Sequence, residues 1–204
     1  DLTITFHKAK PGLLKAEKLV GELVVRHIGL PVELETFAGP GDVSTVVKPR
    51  QPESHKGDFG RLLVIGGSDT YSGAPTFTAL AALRTGVDLV FIAAPMETAY
   101  AISSMSSDLI TVKLEGEQLN MSNLPVIRRH LEKATAVAIG PGLGLQKETA
   151  DAVKEIIRVT EGMKKPMLVD ADGLRAFAQS KHRIKTPAVL TPHVGEYQIL
   201  TGTS

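Results

Sequence analysis

The sequence contains no cysteine among its 204 residues. That excludes disulfides and thiolate metal sites and fits a reducing compartment. It has no apolar run approaching the roughly 18 residues of a membrane span, and its first residues lack the layout of a secretory leader, so a cytoplasmic protein without a membrane partner is expected. An excess of one charge is lacking too: 23 basic residues stand against 22 acidic ones, for a formal net charge of +1. With no long basic run interleaved with aromatics, nucleic acid is not an expected partner. Neither the G-x-G-x-x-G spacing nor a G-x-x-x-x-G-K-[ST] run occurs, so neither standard phosphate loop applies.

At 43% hydrophobic, the chain can bury one good core, or one domain plus part of another. Its organising stretch runs from His55 to Pro95 and reads as strand, glycine-rich turn, helix and strand. Leu62 to Ile65 is a short apolar run suited to a strand buried on both faces, and it empties into Gly66-Gly67-Ser68-Asp69. A helix rich in small residues, Thr76 to Thr85, and a strand, Asp88 to Ala93, follow. Such a unit presents backbone N–H groups at the carboxyl edge of a sheet, where an anionic ligand is favoured. The alternative is that Gly66, Gly67 and Gly73 only permit a tight turn.

The opening segment differs. Leu2–Phe6 and Glu22–Ile28 read as strands, His7–Leu14 as a loop and Pro31–Glu35 as the start of a connection. Two strands with so little helix cannot make a core of their own. His7, Lys8 and Lys10 form either a basic binding site or a solvated loop. Gly39-Pro40-Gly41-Asp42 and Lys48-Pro49-Arg50-Gln51-Pro52 have a linker-like composition, which predicts domains at 1–45 and 46–204.

Beyond Pro95 the alternation continues. Helices are expected over Glu97–Ser104, Asn123–Lys133 and Gln146–Glu161, with strands at Leu109–Leu114, Thr135–Ile139, Met167–Val169 and Ala188–Leu190. The last three strands run into Gly140-Pro141-Gly142-Leu143-Gly144, Asp170-Ala171-Asp172-Gly173 and Thr191-Pro192-His193-Val194-Gly195-Glu196, and a helix begins at Tyr197–Leu200. Singly, each loop is weak: Asp170 or Asp172 can simply cap a turn, and His193 can be a hydrogen-bonded loop residue. In an open parallel sheet, however, all these loops emerge at one edge, outside the strand carboxyl ends where ligands bind.

HKGDFGRLLVIGGS, YSGAP, AALRTGVDLV, AIGPGLG, VDADGL and LTPHVGEYQILTG, in this order and spacing, resemble the ADP- or ATP-dependent NAD(P)H-hydrate dehydratase family over about residues 50 to 204. The resemblance implies a ribokinase-like α/β fold, an open sheet with helices on both faces. It also implies a repair reaction in which the hydrated nicotinamide ring of NADH or NADPH is phosphorylated from ADP or ATP and then loses phosphate. By motif position, Ala74, Gly142 and His193 would line the dinucleotide hydrate around one crevice, with Gly73 and Gly144 as flanking candidates. Glu196 would hold Mg²⁺ through water, and Asp170 and Asp172 are secondary candidates for the same polar site. The opening segments DLTITFHKAKPGLL and GELVVRHIGLP are similar to the last strands of the NAD(P)H-hydrate epimerase domain that precedes the dehydratase in bifunctional proteins. K⁺ is expected only for that epimerase domain, outside this chain, and a homo-oligomer is expected.

One departure from the family is large. Its G-T-G-D anion hole, which carries the activating Asp, occurs nowhere in the sequence and belongs downstream of Ser204. The catalytic residue is therefore not assigned, the fold is expected to be incomplete at the carboxyl end, and the chain is expected to be an internal piece of a bifunctional protein, inactive alone. The competing readings are a ribokinase-like sugar or vitamin kinase and a non-catalytic dinucleotide-binding fragment.

Overall fold

A computed structural model describes residues 1–47, 49–180 and 182–203. The chain forms two compact units, Asp1–Glu53 and Ser54–Ser204. In the first, β1 (Leu2–Phe6) leads through α1 (Pro11–Lys15) and α2 (Glu17–Val20) to β2 (Glu22–Arg26), which pairs with it in parallel, Leu2 opposite Glu22. A parallel pair needs a crossover, and the two short helices supply it. α3 (Glu33–Thr36) and α4 (Pro40–Val46) follow.

The sequence reading assigned none of these four helices. Pro11 ends the supposed His7–Leu14 loop because it stands at the first position of α1, where its missing N–H is harmless. Pro40 does the same for α4, which occupies part of the expected linker, and Asp42 Oδ2 accepts the Gly39 N–H at 2.8 Å. Lys48, in the second half of that linker, lies outside the described residues. In the basic loop, His7 Nε2 meets Glu35 Oε1 at 3.0 Å and Lys8 pairs with Glu35 Oε2. The Lys8 hydrogen bond, the largest cause, holds the Glu35 carboxyl below the usual carboxylate range.

The second unit is a six-stranded parallel sheet. Its elements are β3 (Arg61–Ile65), α5 (Gly73–Arg84), β4 (Leu89–Pro95), α6 (Met96–Met105), β5 (Ile110–Leu114), α7 (Leu124–Lys133), β6 (Ala136–Ile139), α8 (Lys147–Gly162), β7 (Met167–Val169), α9 (Ala171–Ala178), β8 (Ala188–Leu190) and α10 (Val194–Thr201). The strand order is β5-β4-β3-β6-β7-β8, so the chain reverses direction across the sheet between β3 and β6. Alternation along β3 sends Leu63 and Ile65 into one core and Val64 into the other. Ile127 and Leu131 of α7 join Val153, Ile156 and Ile157 of α8 and Leu174 of α9 on the first face, while Ala79 of α5 and Ala99 and Ile102 of α6 pack on the second. Each fully buried Leu or Ile contributes roughly 1.5–3 kcal/mol through its apolar area. β8 forms the far edge with all three residues exposed. No helix among the described residues is long and apolar enough to cross a membrane.

The sequence reading missed α9, treating Asp170–Gly173 as a turn. A glycine in the first helical turn hides the signal, and it is there for packing: a Cβ on Gly173 would meet the Ile139 carbonyl oxygen at 2.8 Å.

Between α8 and β8 the chain is tied by Glu161, whose Oε1 accepts the Lys185 N–H at 2.6 Å and whose Oε2 meets His182 Nε2 at 2.5 Å. The Lys185 N–H first, then His182, lower the Glu161 pKa from its ordinary 4.5. A lowered folded pKa contributes stability above the unfolded value and loses it as pH falls through the folded one. Glu161→Gln is therefore expected to lower the urea midpoint at neutral pH, by a deficit that shrinks as pH drops below 4.5. A deficit constant down to about pH 3 would refute the charge-based account.

Candidate functional site at the carboxyl edge of the sheet

Because every strand of the larger sheet is parallel, the loops after β3, β6, β7 and β8 leave it at one edge. They are fastened to one another mainly through backbone. Gly67 N–H donates to the Pro141 carbonyl at 2.9 Å, and a Cβ on Gly66 would stand 2.5 Å from the same oxygen, so the turn after β3 lies directly on the turn after β6. Ser68 and Tyr71 close the first turn on each other at 3.1 and 3.2 Å, and buried Thr98 donates its hydroxyl to the Ser68 carbonyl at 2.7 Å.

This geometry brings Ala74 and Gly142 together. Gly142 has φ +69°, and a Cβ there would meet the Ala74 Cβ at 3.5 Å and the Tyr71 Cβ at 2.9 Å. Gly73 opens α5 immediately before Ala74. Gly144 is anchored from below, its N–H donating to Asp172 Oδ2 at 2.9 Å. Asp170, one residue before α9, accepts the Thr191 hydroxyl on Oδ1 at 2.8 Å. The two carboxylates of Asp170-Ala171-Asp172 therefore clasp different loops: Asp172 holds the glycine turn, and Asp170 holds the segment leading to His193.

His193 stands before α10 and caps it. Its Nδ1 accepts the N–H groups of Gly195 at 3.1 Å and Glu196 at 3.4 Å. Two donors aimed at Nδ1 place the ring proton on Nε2, which faces Glu196 Oε1 at 3.3 Å. Glu196 is buried, and its Oε2 accepts the His193 N–H at 3.1 Å. The His193 side chain is 66% exposed and open to a ligand. No group of three or more His, Asp or Glu residues among the described residues is placed to hold a metal ion. One carboxylate suits Mg²⁺, which keeps much of its water and takes phosphate oxygens as further ligands.

A cleft of about 320 Å³ opens beside the glycine turns, lined by Ser68–Tyr71, Glu117, Gln118 and Leu143–Gln146. Ala74, Gly142 and His193 lie outside this lining. Glu117 and Gln118 are contributions the sequence reading missed. Their signal is weak, a Glu-Gly-Glu run just past β5 with no motif around it.

Comparison with known proteins agrees with this architecture. A model of the NAD(P)H-hydrate dehydratase family matches residues 62–204, and the chain belongs to that family. It is 50% identical over 203 residues to the bifunctional NAD(P)H-hydrate repair enzyme Nnr of Pyrobaculum aerophilum, a match covering 98% of this chain and 40% of that protein. The ADP/ATP-dependent NAD(P)H-hydrate dehydratase of Bacillus subtilis, crystallised with ATP and Mg²⁺, superposes with a TM-score of 0.61 at 26% identity, covering 79% of this chain and 54% of that one. A ribokinase-like superfamily protein from Enterococcus faecalis superposes with a TM-score of 0.67 at 23% identity, covering 76% and 53%, and shows the shared fold. The chain spans about 40% of the length of its bifunctional relative.

Proposed function

We propose that the protein acts in nicotinamide-nucleotide repair, dehydrating the S form of hydrated NADH or NADPH at the expense of ADP or ATP. The family match over residues 62–204 carries this reading. Phosphoryl transfer to the ring hydroxyl gives AMP or ADP, and departure of phosphate with loss of a proton from the neighbouring carbon restores the ring double bond. Ala74, Gly142 and His193 receive the hydrated nicotinamide. The Gly142 turn brings backbone to the ring without a side chain between, and His193 orients the substrate from its place just before α10. Glu196 holds Mg²⁺ through water beside the nucleotide phosphates, where the ion neutralises the charge on the transferred group. Unit 1 is the end of an epimerase domain, and in the whole protein epimerisation of the R hydrate feeds the same dehydration.

The test, on the full-length protein, is recovery of NADH absorbance from NADH hydrate plus ADP, with AMP and phosphate released in equal amounts. Phosphorylation of a sugar or of hydroxymethylpyrimidine without NADH recovery would overturn the reading. His193 is separated from its capping role by two variants. His193→Ala loses cap and imidazole together, at about 1 kcal/mol for the cap, whereas His193→Asn keeps a capping oxygen. Both are expected to raise KM about tenfold or more while the pH profile keeps its shape. Full activity in His193→Asn would reduce His193 to a helix cap, and loss of a limb of the pH–rate profile in both variants would make it the base.

A further inference from the structure

Two buried threonines, Thr98 and Thr149, stand third in their helices, α6 and α8. A threonine further along a helix can turn its hydroxyl back to the carbonyl four residues earlier, as Thr78 does to Ala74 and Thr201 to Tyr197. In the first turn that carbonyl lies outside the helix, so the hydroxyl is free to bond elsewhere. Thr98 donates to the Ser68 carbonyl at 2.7 Å and Thr149 to the Leu119 carbonyl at 3.0 Å, each across 30 positions of chain. Each fastens one loop at the carboxyl edge of the sheet. Thr98 holds the turn after β3, and its methyl lies 3.1 Å from the point that a Cβ on Gly67 would occupy. Thr149 holds the loop after β5, whose start is fixed by buried Asn123, donating from its side chain to the Glu115 carbonyl at 3.0 Å. Ser68–Tyr71 and Glu117–Gln118, the stretches so held, are two walls of the 320 Å³ cleft.

We propose that Thr98 and Thr149 are positioning residues that keep this cleft in shape for the part of the dinucleotide hydrate extending beyond the nicotinamide. The ligand in this statement rests on the dehydratase reading. Leu143 and Gly144 line the cleft next to Gly142, so a ligand whose ring lies against Gly142 and Ala74 can run on into it. The strand order puts the loops after β5, β3 and β6, which frame the cleft, on one side of the Gly142 turn, and Glu196, after β8, on the other. The phosphoryl donor belongs with Glu196 and Mg²⁺, which leaves the cleft to the dinucleotide. Without the Thr98 hydroxyl, the Ser68 carbonyl keeps the Tyr71 N–H at 3.2 Å, and the turn loses its tie to α6. Tyr71 would shift with it, and the Tyr71 Cβ is what Gly142 packs against.

The test uses the full-length protein with Thr98→Val and Thr149→Val, which keep the side-chain shape and lose the hydroxyl, each beside the serine variant that retains it. The KM for NADH hydrate and the Kd for NADH, read from its fluorescence, are each expected to rise about three- to tenfold in the valine variants, as the loss of one neutral hydrogen bond implies. The kcat and the KM for ADP should stay close to wild type, because binding of the dinucleotide alone is weakened. Serine should bring both raised constants back close to wild type. Thr85→Val is the control: its hydroxyl bonds only the Ala82 carbonyl, at 2.8 Å, at the far end of α5, and its loss should change neither constant. Valine variants with wild-type KM and Kd, a KM for ADP that rises as much as that for the hydrate, serine variants as impaired as valine, or an equal rise in Thr85→Val would each overturn the proposal. Wild-type protein that binds NADH but recovers none from its hydrate would overturn the dehydratase reading alone, and the Kd series would still decide the role of the threonines. Wild-type protein that binds no NADH would overturn both.

Discussion

Replacing Gly140 by alanine is expected to cost the larger unit on the order of 3–5 kcal/mol, enough to bring a domain of ordinary stability close to its unfolding threshold. Two effects combine. Gly140 has φ +127°, a conformation that L side chains rarely adopt, which by itself costs about 1–3 kcal/mol. The methyl would also stand 1.8 Å from the Asp170 carbonyl oxygen and 2.9 Å from the Gly173 nitrogen. Neither neighbour is a flexible side chain, and both belong to the start of α9, whose Asp170 N–H is bonded to Ile139 O at 3.0 Å. Relief therefore requires moving α9 off the sheet. The internal control is Gly144→Ala, at φ +80° with nothing within 4 Å of the added carbon, which pays for conformation alone. By thermal unfolding, Gly140→Ala is expected to lose on the order of 10 °C and Gly144→Ala only a few degrees, at about 2–4 °C per kcal/mol. Equal losses in the two variants would show that the close approach at Gly140 is not what fixes the glycine.

The parts of the fold legible in the sequence were those with a local signature. Leu62–Ile65 and Thr135–Ile139 read as buried strands because they are short apolar runs ending in glycine, and both are strands whose last three residues are buried. α8 declared itself through apolar residues at helical spacing, and the same side chains, Val153, Ile156 and Ile157, fill the core. What failed to show lacked that local logic. α1 and α4 are short helices begun by prolines that also read as loop signals, and α9 carries in its first turn a glycine required by contact with Ile139 of β6, far away in sequence. The site divided in the same way. Motif order marked Gly142, Asp172 and His193, but the bond from Gly144 to Asp172 spans 28 positions and only the fold reveals it.

That bond gives Asp172 its role and the second large effect. Read from sequence, Asp172 was a polar candidate for the metal side of the site; in the structure its Oδ2 holds the N–H of Gly144, two residues beyond Gly142. Asp172→Ala removes the acceptor and frees the glycine turn. A misplacement of about 1 Å in a positioning element costs about 10²-fold in rate, so in the full-length protein kcat/KM for the proposed substrate, NADH hydrate, is expected to fall by that order. Asp172→Asn keeps an acceptor oxygen and loses the charge. If Asp172 only positions the turn, Asn should return activity to within a few-fold of wild type at an unchanged Mg²⁺ requirement. If the carboxylate serves the metal, Asn should be as impaired as Ala, and more Mg²⁺ should be needed for half-maximal rate. The two roles thus separate on one substitution. Asp170 supplies the parallel case, because its Oδ1 accepts from Thr191 and not from a backbone group, so Thr191→Val should reproduce the defect of Asp170→Ala, while neither should alter the response to Asp172→Asn. A defect that follows charge at both positions, with Asn failing at each, would return both carboxylates to the metal and leave the glycine turn held by packing alone.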